Sequence, residues 1–256
     1  MRSSLTFGLT AALAAASMAG AMAQTQTANA TGSLQVNANG PGTSSKYLDV
    51  EGQGTGSNAS GVPYETFGVL DFANLTAPNS AASVSNVVLS LTDSPFSATA
   101  PGTVDVYLVS NTTANTGLKY DTTTTNGIGT QLGTVYSLGA FQYTGQSTKT
   151  TPAPNPPTVY NYNLTLSSAA QGLFLNELNA GTVRLALGAD PSTSTVVASY
   201  AGAAGGGSGT AFPTLKFTTA PAAVPEASTT VSLGLLLVLG LGGVAVARRR
   251  TGAAQA

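Results

Sequence analysis

The side chains that could carry acid–base or metal chemistry in this sequence are mainly carboxylates, because its 256 residues include no histidine and no cysteine. Their absence excludes a Ser-His-Asp triad, a cysteine nucleophile, Cys/His zinc sites and haem held by histidine. Glycoside hydrolysis needs just two carboxyl groups, so Glu65 with Asp71 or with Glu177 stays open as a pair. Since nothing in the sequence fixes the separation of these groups, we expect no enzymatic activity.

Several acidic residues lie where oxygen ligands for a structural calcium ion could gather. Asp49 and Glu51 alternate onto one face of a predicted strand. Four other aspartates lie at or near predicted strand ends: Asp71, Asp105, Asp121 and Asp190. Single carboxylates at turns are more often solvated or bonded to backbone N–H groups, and the chain has no Asp-x-Asp-x-Asp run. We expect no cofactor, with structural calcium as the open alternative.

Tyrosines are the other candidate binding residues, because the chain has 9 tyrosines and no tryptophan. Their rings offer flat, amphipathic faces that could stack on sugars. Tyr120, Tyr136 and Tyr143 flank predicted loops and are the candidates for ligand binding. Tyr160 and Tyr162 share a strand face with leucines, which favours core packing for both.

The segments that must position these residues alternate apolar and polar side chains with the period of a half-buried strand. Residues 103–110 and 159–166 show this pattern, and 181–188 places Val183, Leu185 and Leu187 inward with Thr182 and Arg184 outward. Residues 213–219 place Leu215 and Phe217 inward and Lys216 outward. Further strands are predicted over 46–51, 65–71, 84–91, 131–138 and 196–200. Many short strands between Gly, Pro, Asn and Ser turns predict an all-β, jelly-roll-type β-sandwich.

One short crossover helix is predicted over 167–181, capped by Ser167 or Ser168 and ended by Gly181. Its core-facing residues would be Leu173, Phe174 and Leu178. The β-sandwich domain is expected over 46–219, after a flexible N-terminal segment over 24–45. Residues 144–158 and 201–211 have the composition of long loops.

The N-terminal residues 1–23 have the features of a signal peptide. Arg2 precedes an apolar stretch from Leu5, and Ala21 and Ala23 form the small-x-small pattern of signal-peptidase cleavage. We therefore expect an exported mature chain that begins at Gln24.

The C-terminal residues contain an uncharged run, 231–247, near the lower length limit of a membrane-spanning helix. A buried core helix or an interfacial segment is the alternative. Apolar residues occupy every helical face, however, and a basic tail over 248–256 begins with Arg248, Arg249 and Arg250, as a stop-transfer flank would. The sequence predicts a transmembrane helix with the arginines in the cytoplasm.

The linker 220–230, the apolar run and the arginines together resemble the PEP-CTERM sorting signal, which exosortases recognise. Val224, Pro225 and Glu226 match the family's motif, and Ala227 stands where its second proline usually lies. The resemblance implies a membrane transpeptidase that cuts near this motif. Pro225 restrains its own φ and keeps Val224 extended, which suits a protease cleft. The alternative is a linker in front of a permanent anchor.

Residues 46–219 resemble DNRLRE-type, carbohydrate-binding-module-like jelly rolls of bacterial extracellular proteins. The resemblance is carried by "FGVLDFANL" at 67–75, "VSNVVLSLT" at 84–92, "VDVYLVS" at 104–110 and "NLTLSSAAQGLF" at 163–174. It implies a β-sandwich on the outside of the cell.

Between Gln24 and Ala223 the chain carries 5 basic and 9 acidic residues, a net charge of 5 minus 9, or −4. This balance disfavours nucleic acid, whose phosphates require clustered Lys and Arg. We expect a protein held first at the inner membrane and then released to the cell envelope or extracellular matrix, with a structural or adhesive role. Its expected partners are signal peptidase, an exosortase and exopolysaccharide in a biofilm. The alternative is a carbohydrate-binding module with a defined glycan ligand.

Overall fold

The computed structural model describes most residues between 22 and 221. The described ranges are 22–42, 46–53, 65–76, 81–94, 99–112, 114–124, 126–145, 157–190, 195–206 and 211–221. Almost all of them belong to one compact unit, Ala23–Ala220. No helix within these ranges is long and apolar enough to cross a membrane. The apolar run 231–247 lies outside the described residues.

The described residues form an all-β fold with one α-helix, as the alternating patterns predicted. The strands are β1 Gln24–Asn29, β2 Gly32–Asn37, β3 Gly40–Pro41, β4 Tyr47–Glu51, β5 Phe67–Ala73, β6 Ala81–Thr92, β7 Gly102–Val109, β8 Val135–Tyr143, β9 Val159–Leu164, β10 Thr182–Ala189, β11 Val197–Ala201 and β12 Thr214–Pro221. The helix, α1, is Ser168–Asn179 and connects β9 to β10. Two short 3-10 helices, Asn115–Gly117 and Thr130–Leu132, lie between β7 and β8.

The strands form two larger sheets and one small one. The first has the order β1-β12-β6-β9, the second β3-β2-β5-β10-β7-β8, and β11 pairs with β4. Every neighbouring pair in the six-stranded sheet is antiparallel. Helix α1 therefore crosses from the edge of the first sheet to the interior of the second, which confirms the predicted crossover.

The main core lies where the inward side chains of the two larger sheets meet. Val104, Val106 and Leu108 of β7 are fully buried there, as predicted, together with Leu215 and Phe217 of β12. Since apolar burial contributes about 25 cal/mol per Å², this shared core is the main source of stability for a chain without disulfides.

The opposite face of the six-stranded sheet, here called the outer face, is covered along part of its length. The segment between β7 and β8 folds back over it and buries a second cluster of Val36, Phe67, Val69, Val109, Leu118, Tyr120, Ile128, Leu132 and Ala186. The sheet is thus buried on both faces there, which a half-buried strand pattern does not predict.

Helix α1 begins and ends as the sequence predicted. The hydroxyl of Ser167 accepts a 3.2 Å hydrogen bond from the Ala170 N–H, which satisfies one of the free donors of the first turn. Gly181 follows with a φ of +84°, a left-handed conformation that glycine adopts at little cost. Phe174 and Leu178 are buried against the main core, as expected.

The structure corrects two boundaries. The segment 24–45, predicted to be flexible, contributes β1, β2 and β3 over its described part, because β1 pairs with β12 and β2 with β5. The strand predicted over 131–138 begins only at Val135, since Thr130–Leu132 forms a 3-10 turn that Gly133 ends with a φ of +68°.

Candidate functional site

The residues of the predicted sorting signal lie outside the described part of the chain. These are Val224, Pro225, Glu226, Ala227, Arg248, Arg249 and Arg250. Ala21 of the predicted cleavage site also lies outside it, whereas Ala23 is described and directly precedes β1. Their roles stay predictions.

Tyr143 is not available as a sugar-stacking residue, because its side chain is fully buried in the main core. Its ring packs at 5.2 Å from Tyr160 and at 5.4 Å from Tyr200, measured between centroids. Tyr162 joins the same aromatic cluster through a 2.8 Å hydrogen bond between its hydroxyl and that of Tyr200. The core packing predicted for Tyr160 and Tyr162 is confirmed, and the accessibility expected for Tyr143 is wrong.

Tyr120 is also interior, because the segment between β7 and β8 folds onto the outer face. It is 5% exposed and packs with its ring centroid 6.4 Å from that of Phe67. Its hydroxyl is buried without a hydrogen-bond partner among the described residues. Tyr136 is half-buried and packs against the main core. The accessible ring faces expected at Tyr120 and Tyr143 are therefore absent.

Asp49 and Glu51 lie on one face of β4, as predicted, and both are partly buried. Asp49 Oδ2 accepts a 2.5 Å hydrogen bond from Gln35 Nε2, and its Oδ1 accepts a 2.6 Å bond from Ser199 Oγ. Burial and, secondarily, the neighbouring Asp49 raise the pKa of Glu51 to about 7. Glu51 is therefore largely protonated at mildly acidic pH.

The remaining calcium candidates are dispersed. Burial raises the pKa of Asp105, and nearby Asp190 raises it further, while the hydroxyl of Tyr107 donates a 2.9 Å bond to its Oδ2. Asp121 accepts bonds of 2.9 and 2.6 Å from the N–H and hydroxyl of Thr123, the local turn contact common for aspartate. Among the described residues no group of three or more potential ligands could hold a metal ion. Structural calcium stays a prediction without a ligand set.

Asp71 and Glu177, considered as possible catalytic carboxylates, are each bonded through both oxygens. Asp71 receives Arg184 Nε at 2.6 Å and Nη2 at 3.2 Å, a bidentate ion pair. Glu177 is 3% exposed and accepts the backbone N–H of Asn111 at 2.7 Å and that of Arg184 at 2.9 Å. The geometry therefore gives no support to Asp71 or to Glu177 as the partner of Glu65 in an acid–nucleophile pair.

Glu177 connects three elements: helix α1, the end of β7 and the start of β10. Burial raises its pKa to about 7, although the two N–H donors and Arg184 oppose the shift. Asn111 makes two hydrogen bonds. Its backbone N–H donates to Glu177, and its side-chain Nδ2 donates a 2.9 Å bond to the Thr182 carbonyl. The result is a polar network at the end of the outer face, beyond the residues of the second cluster.

A groove of about 510 Å³ lies over this network. It is lined by Thr31, Gly32, Asp71, Ala73, Asn111, Ala180, Thr182 and Arg184. Such a volume falls within the range of small-ligand sites, about 300–1,000 Å³. We take this polar groove as the candidate functional site.

Sequence reasoning identified only part of this site. The sequence indicates Asp71 as a calcium ligand or a catalytic carboxylate. It gives no indication for Asn111, and for Arg184 it predicts only that the side chain faces outward. Arg184 does lie on the face opposite the main core, but it is only 7% exposed, and Asp71 lies directly opposite it across the strands. It is the single arginine between Gln24 and Ala223, which is the signal that could have directed attention to it.

Comparison with known proteins does not place the chain in a family. No family model matches it, and no curated protein sequence matches it.

Proposed function

We propose that this is an exported, exosortase-processed protein of the cell envelope or extracellular matrix, with a structural or adhesive role and no catalytic activity. The proposal includes a signal peptide over 1–23, a C-terminal transmembrane helix over 231–247 and a jelly-roll-type arrangement of the sandwich. We propose that the protein associates with exopolysaccharide in a biofilm.

The observation that carries the proposal is the pairing of β1 with β12. Strand β1 begins at Gln24, where the mature chain is expected to start, and Gln24 pairs with Thr219. Strand β12 ends at Pro221, a few residues before the proposed motif at Val224. Because β1 and β12 pair with each other, the two proposed cleavage points would both lie next to the same end of this strand pair.

The hydrogen-bonded carboxylates support a role without catalysis. Asp71 and Glu177 are engaged by Arg184 and by backbone N–H groups, and Asp93 is engaged by Tyr143. Carboxyl groups fixed in this way stabilise packing between elements. A carbohydrate-binding module is the second candidate, and the polar groove is the observation that favours it.

Intact mass combined with membrane fractionation of the native protein tests the proposal. We expect a species that begins at Gln24, ends between Val224 and Ala227, and lies outside the membrane fraction. A species that retains Arg250 in the inner membrane would show that the C-terminal run is a permanent anchor.

A matched pair of variants makes the test specific to the motif. Pro225→Ala with Glu226→Ala should leave the chain uncut at the membrane. Ser228→Ala with Thr229→Ala, in the same linker, should be processed normally. Equal processing of both variants would contradict recognition of the Pro-Glu pair.

A further inference from the structure

The floor of the polar groove is a row of three residues from neighbouring strands. Gly32 of β2 pairs with Asp71 of β5, and Asp71 pairs with Arg184 of β10. All three lie on the outer face, because they alternate in step with Val36, Phe67 and Ala186 of the second cluster. The groove therefore continues the sheet face that the second cluster covers at its other part.

The polar groups of the groove are fixed before any ligand arrives. Asp71 is oriented by the bidentate contact with Arg184, and Asn111 is oriented through its N–H and its Nδ2. The backbone of Arg184 is itself held by Glu177. A ligand that bonds to such groups loses little free energy to the ordering of the protein.

The ion pair is accessible because Gly32 has no side chain. A Cβ at this position would lie 3.5 Å from both Cβ and Oδ2 of Asp71, so a longer side chain would extend over the carboxylate. The side chain of Asp71 is 21% exposed and that of Arg184 is 8% exposed. The groove thus presents the acceptor oxygens of Asp71 from a floor that is otherwise buried.

The chemistry of these groups indicates a ligand with many hydroxyls. Carboxylate oxygens of Asp71 and the Oδ1 of Asn111 accept hydrogen bonds, and the hydroxyls of Thr31 and Thr182 can both donate and accept. A hydroxyl group can satisfy either kind of partner. The Asp71–Arg184 pair is neutral as a unit, and the region from Gln24 to Ala223 carries a net charge of 5 minus 9, or −4, which disfavours anionic polymers.

We propose that the groove over Gly32, Asp71, Asn111 and Arg184 binds a segment of a neutral glycan. This inference rests on the proposed envelope role and supplies the contact through which the domain would hold matrix polysaccharide. Recognition would depend on hydrogen bonds to ring hydroxyls and not on aromatic stacking, since no aromatic residue lines the groove as described.

Saturation-transfer NMR on the full chain in mild detergent tests the inference, with maltohexaose, cellohexaose, xylohexaose and mannohexaose as probes. We expect transfer from the protein to at least one of the four. Absence of transfer to all four would overturn the inference, and so would preferential binding of an anionic alginate hexamer.

Substitution at Gly32 tests the location. Gly32→Leu should weaken binding at least about tenfold, whereas Gly172→Leu should leave it unchanged, because a Cβ at Gly172 in α1 meets nothing within 4 Å. Ala73→Leu, also in the groove, serves as a second blocking variant where Gly32→Leu lowers the melting temperature. Unchanged binding in a folded blocking variant would overturn the proposed site.

These outcomes are separable from those for the proposed function. Processing of the termini does not depend on Gly32. A correctly processed chain that binds none of the glycans would therefore overturn this inference alone, and a glycan-binding chain that keeps both termini would overturn the proposed function alone.

Discussion

The hydroxyl of Tyr143 donates a 2.9 Å hydrogen bond to Oδ1 of Asp93, and both side chains are buried. Burial raises the pKa of Asp93, and this hydrogen bond opposes the shift. Burying a carboxyl group without a donor would be costly. The phenol of Tyr143 is thus a structural partner of a buried acid, which explains why a tyrosine next to a loop does not face solvent.

Tyr143→Phe should lower the free energy of unfolding by about 1–3 kcal/mol, because a buried acceptor loses its donor. Loss of the bond would raise the pKa of Asp93 further in the folded state. Since a raised carboxyl pKa costs stability as the pH rises, the loss should be larger at pH 8 than at pH 5. Urea denaturation at both pH values measures it, and an equal loss at both would contradict the role assigned to Asp93.

Tyr120→Phe should have the opposite effect. The Tyr120 hydroxyl is buried without a partner among the described residues, and burial is the main cause that raises its pKa to about 12. Removing an unsatisfied hydroxyl while keeping the ring against Phe67 should stabilise the fold by up to about 1 kcal/mol. Parallel urea curves of Tyr120→Phe and Tyr143→Phe test this, and a loss of stability in both would show that the Tyr120 hydroxyl is paired.

Glu51→Gln should reduce the dependence of stability on pH. Burial raises the pKa of Glu51 from 4.5 to about 7, so the folded state binds more protons than the unfolded state between these values. The stabilisation is complete below pH 4.5 and is lost as the pH rises through 7. Glutamine imitates the protonated form, so the variant should be similar to the native protein at pH 4.5 and more stable by about 1–3 kcal/mol at pH 8, the lower figure allowing for solvent screening of a partly buried group.

Melting temperatures between pH 4.5 and 8 measure this effect. Glu177→Gln is the contrasting variant, because each oxygen of Glu177 accepts a backbone N–H and an amide nitrogen cannot replace an acceptor. Glu177→Gln should destabilise the fold most at pH 8, where both oxygens of the ionised carboxylate accept N–H groups. The loss should be smaller at pH 4.5, because burial raises the pKa of Glu177 to about 7 and the native side chain is itself protonated there. A Glu51→Gln curve parallel to that of the native protein would show that Glu51 does not titrate as proposed.

The fold could be predicted where a strand has one apolar and one polar face. Strand β9 alternates Tyr160, Tyr162 and Leu164 with exposed residues because, among the described residues, only one face of this strand packs against the core. The helix could be predicted from its cap at Ser167 and its stop at Gly181. In these elements, the local sequence is enough to predict which side chains are buried and where the element begins and ends.

The candidate site could not be predicted in the same way, because it depends on cross-strand register. Asp71 and Arg184 are separated by 113 positions and meet only through the β5–β10 pairing. The burial of Tyr120 depends on an irregular segment that folds onto the outer face. Neither relationship produces a periodic pattern in the sequence. Residue type and proximity to a loop therefore do not predict that Asp71 meets Arg184 or that Tyr120 is buried.

Strand β1 was missed for a related reason. Its sequence, QTQTAN, is polar because it lies at the edge of the first sheet and contributes little to the core. Such a composition predicts a flexible segment, although six residues of β1 pair in register with β12. Polar edge strands protect a sheet from pairing with other chains, and their composition conceals them from pattern analysis.

Substitution of two neighbouring residues decides whether β1 contributes to stability. Ala28 is half-buried and packs against the main core, whereas Thr27 is exposed on the opposite side of the strand. Ala28→Asp should lower the free energy of unfolding by about 1–3 kcal/mol, because it places a charge against apolar side chains. Thr27→Asp should change it by no more than about 0.5 kcal/mol, as is usual for surface positions. Guanidinium denaturation of both variants distinguishes the paired strand from a flexible segment, since a flexible segment would tolerate the two substitutions equally.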